Sequence, residues 1–126
     1  MSYETSLSIK AELVEDVALE IRNLGILIDQ RLVLASPVDT GNFRANWLMS
    51  IGSPETRILS EQEAMTANPV ADAFDVALTY PKDSLPDLWL VNNLPYAARL
   101  NDGWSEQAPS KFVEREIAKA VASSGR

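Results

Sequence analysis

The sequence predicts an α+β fold: a long N-terminal helix, a small antiparallel or mixed sheet, and further helices including a C-terminal one. Three observations carry this reading. Val14, Val17, Ile21, Leu24, Ile28 and Leu32 recur at alternating three- and four-residue steps through the first third of the chain, the period of one helix face. Two short runs, ending at Gly52 and Asn92, have the composition of strands. A last amphipathic stretch carries Phe112, Val113, Ile117, Ala120 and Val121 on one side. With 126 residues, one domain spanning 1–126 is the expectation.

The first helix is predicted from about Leu7 to Ala35, roughly 43 Å long. Its length suggests that part of it projects or meets a neighbour. Lys10, Glu12, Glu15, Glu20, Arg22, Asn23, Asp29 and Gln30 fall mostly off the apolar stripe. Gly25 marks a bend or a close approach. Ser36-Pro37 ends the helix, because proline disfavours the α conformation of the residue before it. Val38 to Asn42 reads as a turn, with Gly41 free to take positive φ.

From Phe43 to Gly52 the chain starts helical and becomes extended. Ser60-Glu61-Gln62-Glu63 is a capping-box pattern. Asn68-Pro69 is a second cap, opening a helix to about Thr79 with Val70, Phe74, Ala77 and Leu78 on its face. Asp87 to Asn92 is the clearest strand. Pro95 stands at the start of a short helix and Gly103 just past its end. The last helix runs from about Ser110 to Ala122.

Composition narrows the chemistry. There is no Cys and no His, so disulfides, thiol nucleophiles, Cys/His zinc sites and histidine-based triads are excluded. Cofactors are expected to be none. Eleven Lys and Arg against 18 Asp and Glu give a net charge of −7, which repels phosphate and argues against generic DNA binding. An acidic wall suits a conduit through which DNA slides, although solubility alone also accounts for the charge. The densest apolar run, Leu24 to Ile28, is too short to span a bilayer, so no membrane partner is expected.

Asp39-Thr40-Gly41 spells the triplet of aspartic proteases, where two carboxylates share a proton and activate water. Here it follows a helix rather than an apolar strand, so a structural turn is the stronger reading. Paired carboxylates for glycoside hydrolysis have candidates in Asp39, Asp87, Asp102 and Glu106, but none lies in an unusual apolar setting. Arg44 and Arg99 stand near Asp39 and Asp102 in sequence and are expected to form local ion pairs or subunit contacts. Tyr96 and Trp104 flank the Gly103 turn as candidate interface aromatics.

Two segments carry a resemblance. Ser36-Pro37-Val38-Asp39-Thr40-Gly41-Asn42-Phe43-Arg44-Ala45-Asn46-Trp47 is similar to the proline, Val-Asp-Thr-Gly, arginine segment of the tail-completion proteins of lambda-type long-tailed phages and prophages. The run from Leu90 to Pro109 resembles that family's strand, its Asn-x-x-Pro-Tyr-Ala, and its Gly turn followed by Ser-x-Gln-Ala-Pro. Order, spacing and length agree from about residue 10 to 121. The chain departs from the family at Asn101-Asp102, where glutamate is usual, and at Ser110-Lys111, where glycine is usual.

The resemblance implies a structural virion protein without catalytic activity. It would form a six- or twelve-fold homo-oligomeric ring at the head-proximal end of the tail, joined to neighbouring neck and tail-tube proteins, with DNA passing through the lumen without specific binding. Assembly would take place in the host cytoplasm. A tail terminator or head-closure ring is the nearest alternative, and a small carboxylate hydrolase, such as a dimeric aspartic protease using Asp39, is the alternative of another class. The motif residues expected to shape the interface are Asp39, Thr40, Gly41, Arg44, Pro95, Tyr96, Arg99, Gly103, Ser105, Gln107 and Pro109.

Overall fold

The computed structural model describes residues 3–37, 41–103 and 111–124. Helix α1 (Tyr3–Ala35) has 33 residues, about 50 Å at 1.5 Å per residue. Arg44 closes its C-terminus: Nε donates to the Ser36 carbonyl at 3.0 Å and Nη2 to the Leu34 carbonyl at 2.9 Å. These are orphan acceptors of the last turn, and a cation there also meets the negative end of the helix dipole.

Gly41, with φ of 73°, leads into the single turn α2 (Asn42–Ala45). Strand β1 (Trp47–Ile51) follows. Helix α3 (Glu61–Thr66) starts at Ser60, whose hydroxyl accepts from the Glu63 N–H while the Glu63 carboxylate accepts from the Ser60 N–H. Helix α4 (Pro69–Ala77) has Asn68 as its cap, accepting from the Ala71 N–H. Strand β2 (Leu88–Asn92) pairs antiparallel with β1 in the register Trp47↔Asn92, Met49↔Leu90 and Ile51↔Leu88. Helices α5 (Ala97–Asn101) and α6 (Phe112–Ser123) complete the described elements.

The fold is therefore α+β, with a two-stranded antiparallel sheet among the described residues. Helix α1 runs along α6, α4 and the sheet. The main core joins Leu32 and Val33 of α1 to Phe43, Trp47, Leu94 and Phe112. The Phe43 ring meets Trp47 and Phe112 edge-on, with centroids 5.8 and 6.3 Å away. Each fully buried aromatic or aliphatic side chain here contributes about 1.5–3 kcal/mol of transfer free energy. A second cluster packs Ala45 and Leu48 on Leu59; a third packs Met49 on Ala73 and Ala77 of α4. Both faces of β1 are thus covered.

Gly25 is a close approach. A Cβ there would overlap Leu88 Cδ2 and stand 3.6 Å from Met49 Cε, so the missing side chain lets α1 lie on the sheet.

Several expectations on facing are corrected. The buried face of α1 contains Ala18, Asp29, Leu32 and Val33, and continues to Ser36 just past its end, whereas Val17 of the predicted stripe is exposed. The stripe chosen from periodicity lies about one residue's rotation away, because glycine and a carboxylate concealed the true seam. In α4, Ala73 and Ala77 face inward and Phe74 and Leu78 outward; the small residues allow the closer helix approach. In α6, Phe112 and Ala120 are buried while Ile117 and Val121 remain exposed.

Candidate functional site

The two resemblance-bearing segments meet in space. The Asn42 side-chain amide donates to the Tyr96 hydroxyl at 3.4 Å, across 54 positions of sequence. The Phe43 and Tyr96 rings lie 6.3 Å apart. The Asn92 amide donates to the Phe43 carbonyl at 2.9 Å, and its oxygen accepts from the Leu94 N–H at 3.3 Å. Asn93 reaches the other way, donating to the carbonyls of Glu55 and Arg57 at 2.9 and 3.0 Å. The end of β2 is thereby fastened to α2 on one side and to the loop before α3 on the other.

Behind this patch lies Asn46, fully buried. Its amide donates to the Asn42 carbonyl at 2.8 Å and its oxygen accepts from the Leu59 N–H at 2.7 Å. The Trp47 indole donates to the Ser36 hydroxyl at 2.8 Å, which itself donates to the Leu32 carbonyl. Buried polar groups in this half of the molecule have partners, as burial demands.

Of the residues singled out in the sequence, Gly41, Arg44 and Tyr96 belong to this patch or its support. Pro95 is exposed beside Tyr96, which is the N-terminal boundary residue of α5. Arg99 lies exposed in the last turn of α5, and Gly103 follows that helix with φ of 92°. Asp39, Thr40, Ser105, Gln107 and Pro109 lie outside the described residues, as does Trp104. The expected partner of Arg44, Asp39, lies outside the described residues; Arg44 binds backbone carbonyls, and Asp102 pairs with Lys111 at 3.9 Å. Asn101, to which the sequence assigns no role, accepts from the Val113 N–H and donates to the Glu114 carboxylate, so it joins α5 to α6.

Sequence periodicity also misses Asp29. It sits in the last two turns of α1 at 1% exposure, and neither carboxylate oxygen has a hydrogen-bond partner among the described residues. Burial pushes its carboxyl up from 3.8 to about 7. Its place one turn after Gly25, on the face that meets the sheet, was the available signal. Two residues on, Arg31 points to α6 instead, pairing with Glu116 at 3.7 Å and donating to the Ser123 hydroxyl at 3.3 Å.

An apolar groove of about 470 Å³ opens on the other side of α1, lined by Val17, Ile21, Leu24 and Leu27 with Glu20, Asn23 and Ser124. Among the described residues no group of three or more Asp or Glu is placed to hold a metal, and no helix is long and apolar enough to cross a membrane. Comparison with family models, curated proteins and solved structures finds no match to this chain.

Proposed function

We propose that this chain is a structural component of the neck or upper tail of a long-tailed phage, forming a ring at the head-proximal end of the tail that helps join tail to head. The observation that carries the reading is the convergence of the two family-like segments. Residues 41–47 and 92–103, far apart in sequence, build one patch through the Asn42–Tyr96 and Asn92–Phe43 hydrogen bonds. A catalytic motif would instead converge on reactive groups. Here the converging groups are amides, aromatic rings and a turn glycine, which fix shape.

The charge distribution supports the conduit part of the reading. Between Arg57 and Lys82 there are four carboxylates (Glu61, Glu63, Asp72, Asp75) and no base, and all four are exposed on α3 and α4. A lumen lined by this face would repel the DNA backbone and let it slide. In this proposal the protein binds no cofactor and catalyses no reaction.

The test is to locate the chain in intact virions by cryo-electron microscopy, with labelling of an added C-terminal tag. The expected result is density in a ring between the tail tube and the head. Absence from the virion, or location in the capsid shell or fibres, would overturn the reading. So would peptide hydrolysis at acid pH that is lost in Asp39→Asn.

A further inference from the structure

Between Ala11 and Leu24, helix α1 buries only Ala18. Leu13 is 60% and Val17 41% exposed. Leu13, Val17, Ile21 and Leu24 succeed one another at steps of four, four and three, so they form one apolar row that runs into the 470 Å³ groove. Beside it runs a second row at helical spacing, Glu12, Asp16 and Glu20, all exposed.

The outer face of α6 is the complement. Ile117 and Val121, one turn apart, are 38% and 37% exposed. Ala118 and Ala122 lie next to them, and beyond these Arg115 and Lys119 form an exposed basic row at the same one-turn spacing. Lys111 continues that row at the helix boundary. Lys119 pairs with Glu116 at 3.2 Å and Lys111 with Asp102 at 3.9 Å, exposed lysine pairs that exchange readily. Arg115 has no ion pair among the described residues.

From this match we infer that α1 of one copy receives the outer face of α6 from a second copy, in a head-to-tail contact. Two α1 helices do not suit each other. Set antiparallel, they bring acid against acid; set parallel, they bring acid against the flank that holds Val14. Two α6 helices bring base against base. The α6 of the same chain is tied along the second half of α1 by Arg31 and meets the groove at its C-terminal boundary residue, Ser124, while Leu13 and Val17 stay exposed. The donor and acceptor patches differ and every copy carries both, so the contact propagates until it closes into a ring. The inference rests on the ring reading and supplies its interface.

Two double variants test it. Glu12→Lys with Asp16→Lys damages the acceptor; Arg115→Glu with Lys119→Glu damages the donor. All four positions are exposed, and far-UV circular dichroism checks that each variant keeps its helix content. In sedimentation experiments the unaltered chain self-associates, and each double variant does so about a hundredfold more weakly, since juxtaposed like charges oppose association. Mixed together, the two variants associate again in alternation, because the intact donor of one meets the intact acceptor of the other and the Glu-bearing donor meets the Lys-bearing acceptor. In the cysteine-free chain, Val17→Cys and Val121→Cys on separate copies give an intermolecular disulfide on mixing. Variants that associate as tightly as the unaltered chain, or failure of the cross-link, would overturn this contact while leaving a ring by another surface. An unaltered chain that stays monomeric up to millimolar concentration would overturn both the contact and the self-assembling ring.

Discussion

Asn46 and Asp29 are both buried polar side chains, one at the α2–β1 junction and one in the last two turns of α1, and they differ in what surrounds them. Asn46 uses its amide on the Asn42 carbonyl and its oxygen on the Leu59 N–H. Asp29 faces the same low-dielectric interior with neither oxygen bonded among the described residues. A satisfied amide fixes the loop before α3 to the body; an unsatisfied carboxylate opposes folding whenever it is ionised. Burial of a polar group is therefore stabilising at Asn46 and costly at Asp29, and the difference lies in partners rather than depth.

The largest expected effect is the pH dependence that Asp29 imposes. Its carboxyl titrates near 3.8 when unfolded and near 7 when folded. Below about pH 4 both states are protonated and the group costs nothing differential. Between these values the native state binds the extra proton, so stability falls as pH rises and levels off above pH 7. The full change is about 4 kcal/mol, because each tenfold difference in proton affinity between the two states is worth about 1.4 kcal/mol. Asp29→Asn removes it. Urea unfolding at pH 4 and pH 8 should show the variant gaining on the unaltered chain at the higher pH. A stability difference that is equal at both pH values would mean that Asp29 has a partner after all.

Asn46→Ala is the reverse experiment. It strands the buried Leu59 N–H, while the Asn42 carbonyl keeps the Asn46 backbone N–H, and is expected to cost about 3 kcal/mol, measured by the same unfolding assay with no pH trend. A cost below about 1 kcal/mol would show that water replaces the amide. That outcome would erase the contrast between the two sites.

Much of the fold was legible in the sequence wherever a local signal had a local cause. The capping box at Ser60, the Asn68-Pro69 start, the break at Ser36-Pro37 and the strand ending at Asn92 depend on neighbours a few residues away, and the structure has each of them. Facing was less legible. Val17, Phe74, Ile117 and Val121 are apolar residues at helical spacing that point outward, because inward positions go to Ala18 and Ala73, which the sequence did not single out, beside Ala77 and Ala120, which it did, and their small size permits close packing. Periodicity ranks residues by hydrophobicity and so favours the larger ones. Within the candidate patch, Tyr96 and Arg44 stood out in the sequence, but the roles of Asn46, Asn92 and Asn93 did not. Each joins segments 13 to 49 residues apart, and no local pattern encodes that.

Gly25 probes how rigid the wall around Asp29 is. Gly25→Val would drive a branched side chain into Leu88 and Met49 and is expected to cost about 2 kcal/mol, read as a lowered urea midpoint with an unchanged slope. A neutral result would mean that the sheet can yield to α1. It could then yield to a water beside Asp29 as well.

The smallest expected effect comes from a carboxylate in the opposite situation. Glu63 is exposed and accepts the Ser60 N–H at 3.0 Å, and this bond holds its carboxyl below the ordinary 4.5. Its folded pKa is depressed, so its contribution is present above the unfolded value and is lost as pH falls, the reverse of Asp29. Ser60→Ala removes the hydroxyl that caps α3 and is expected to cost roughly 1 kcal/mol. Glu63→Gln should leave the hydroxyl cap and reduce only the acid-side loss. Amide hydrogen exchange in α3 reads both, because a single six-residue helix with no buried residue of its own opens before the core does. If Glu63→Gln altered the stability profile near pH 7 rather than on the acid side, a group other than Glu63 would have to govern that helix.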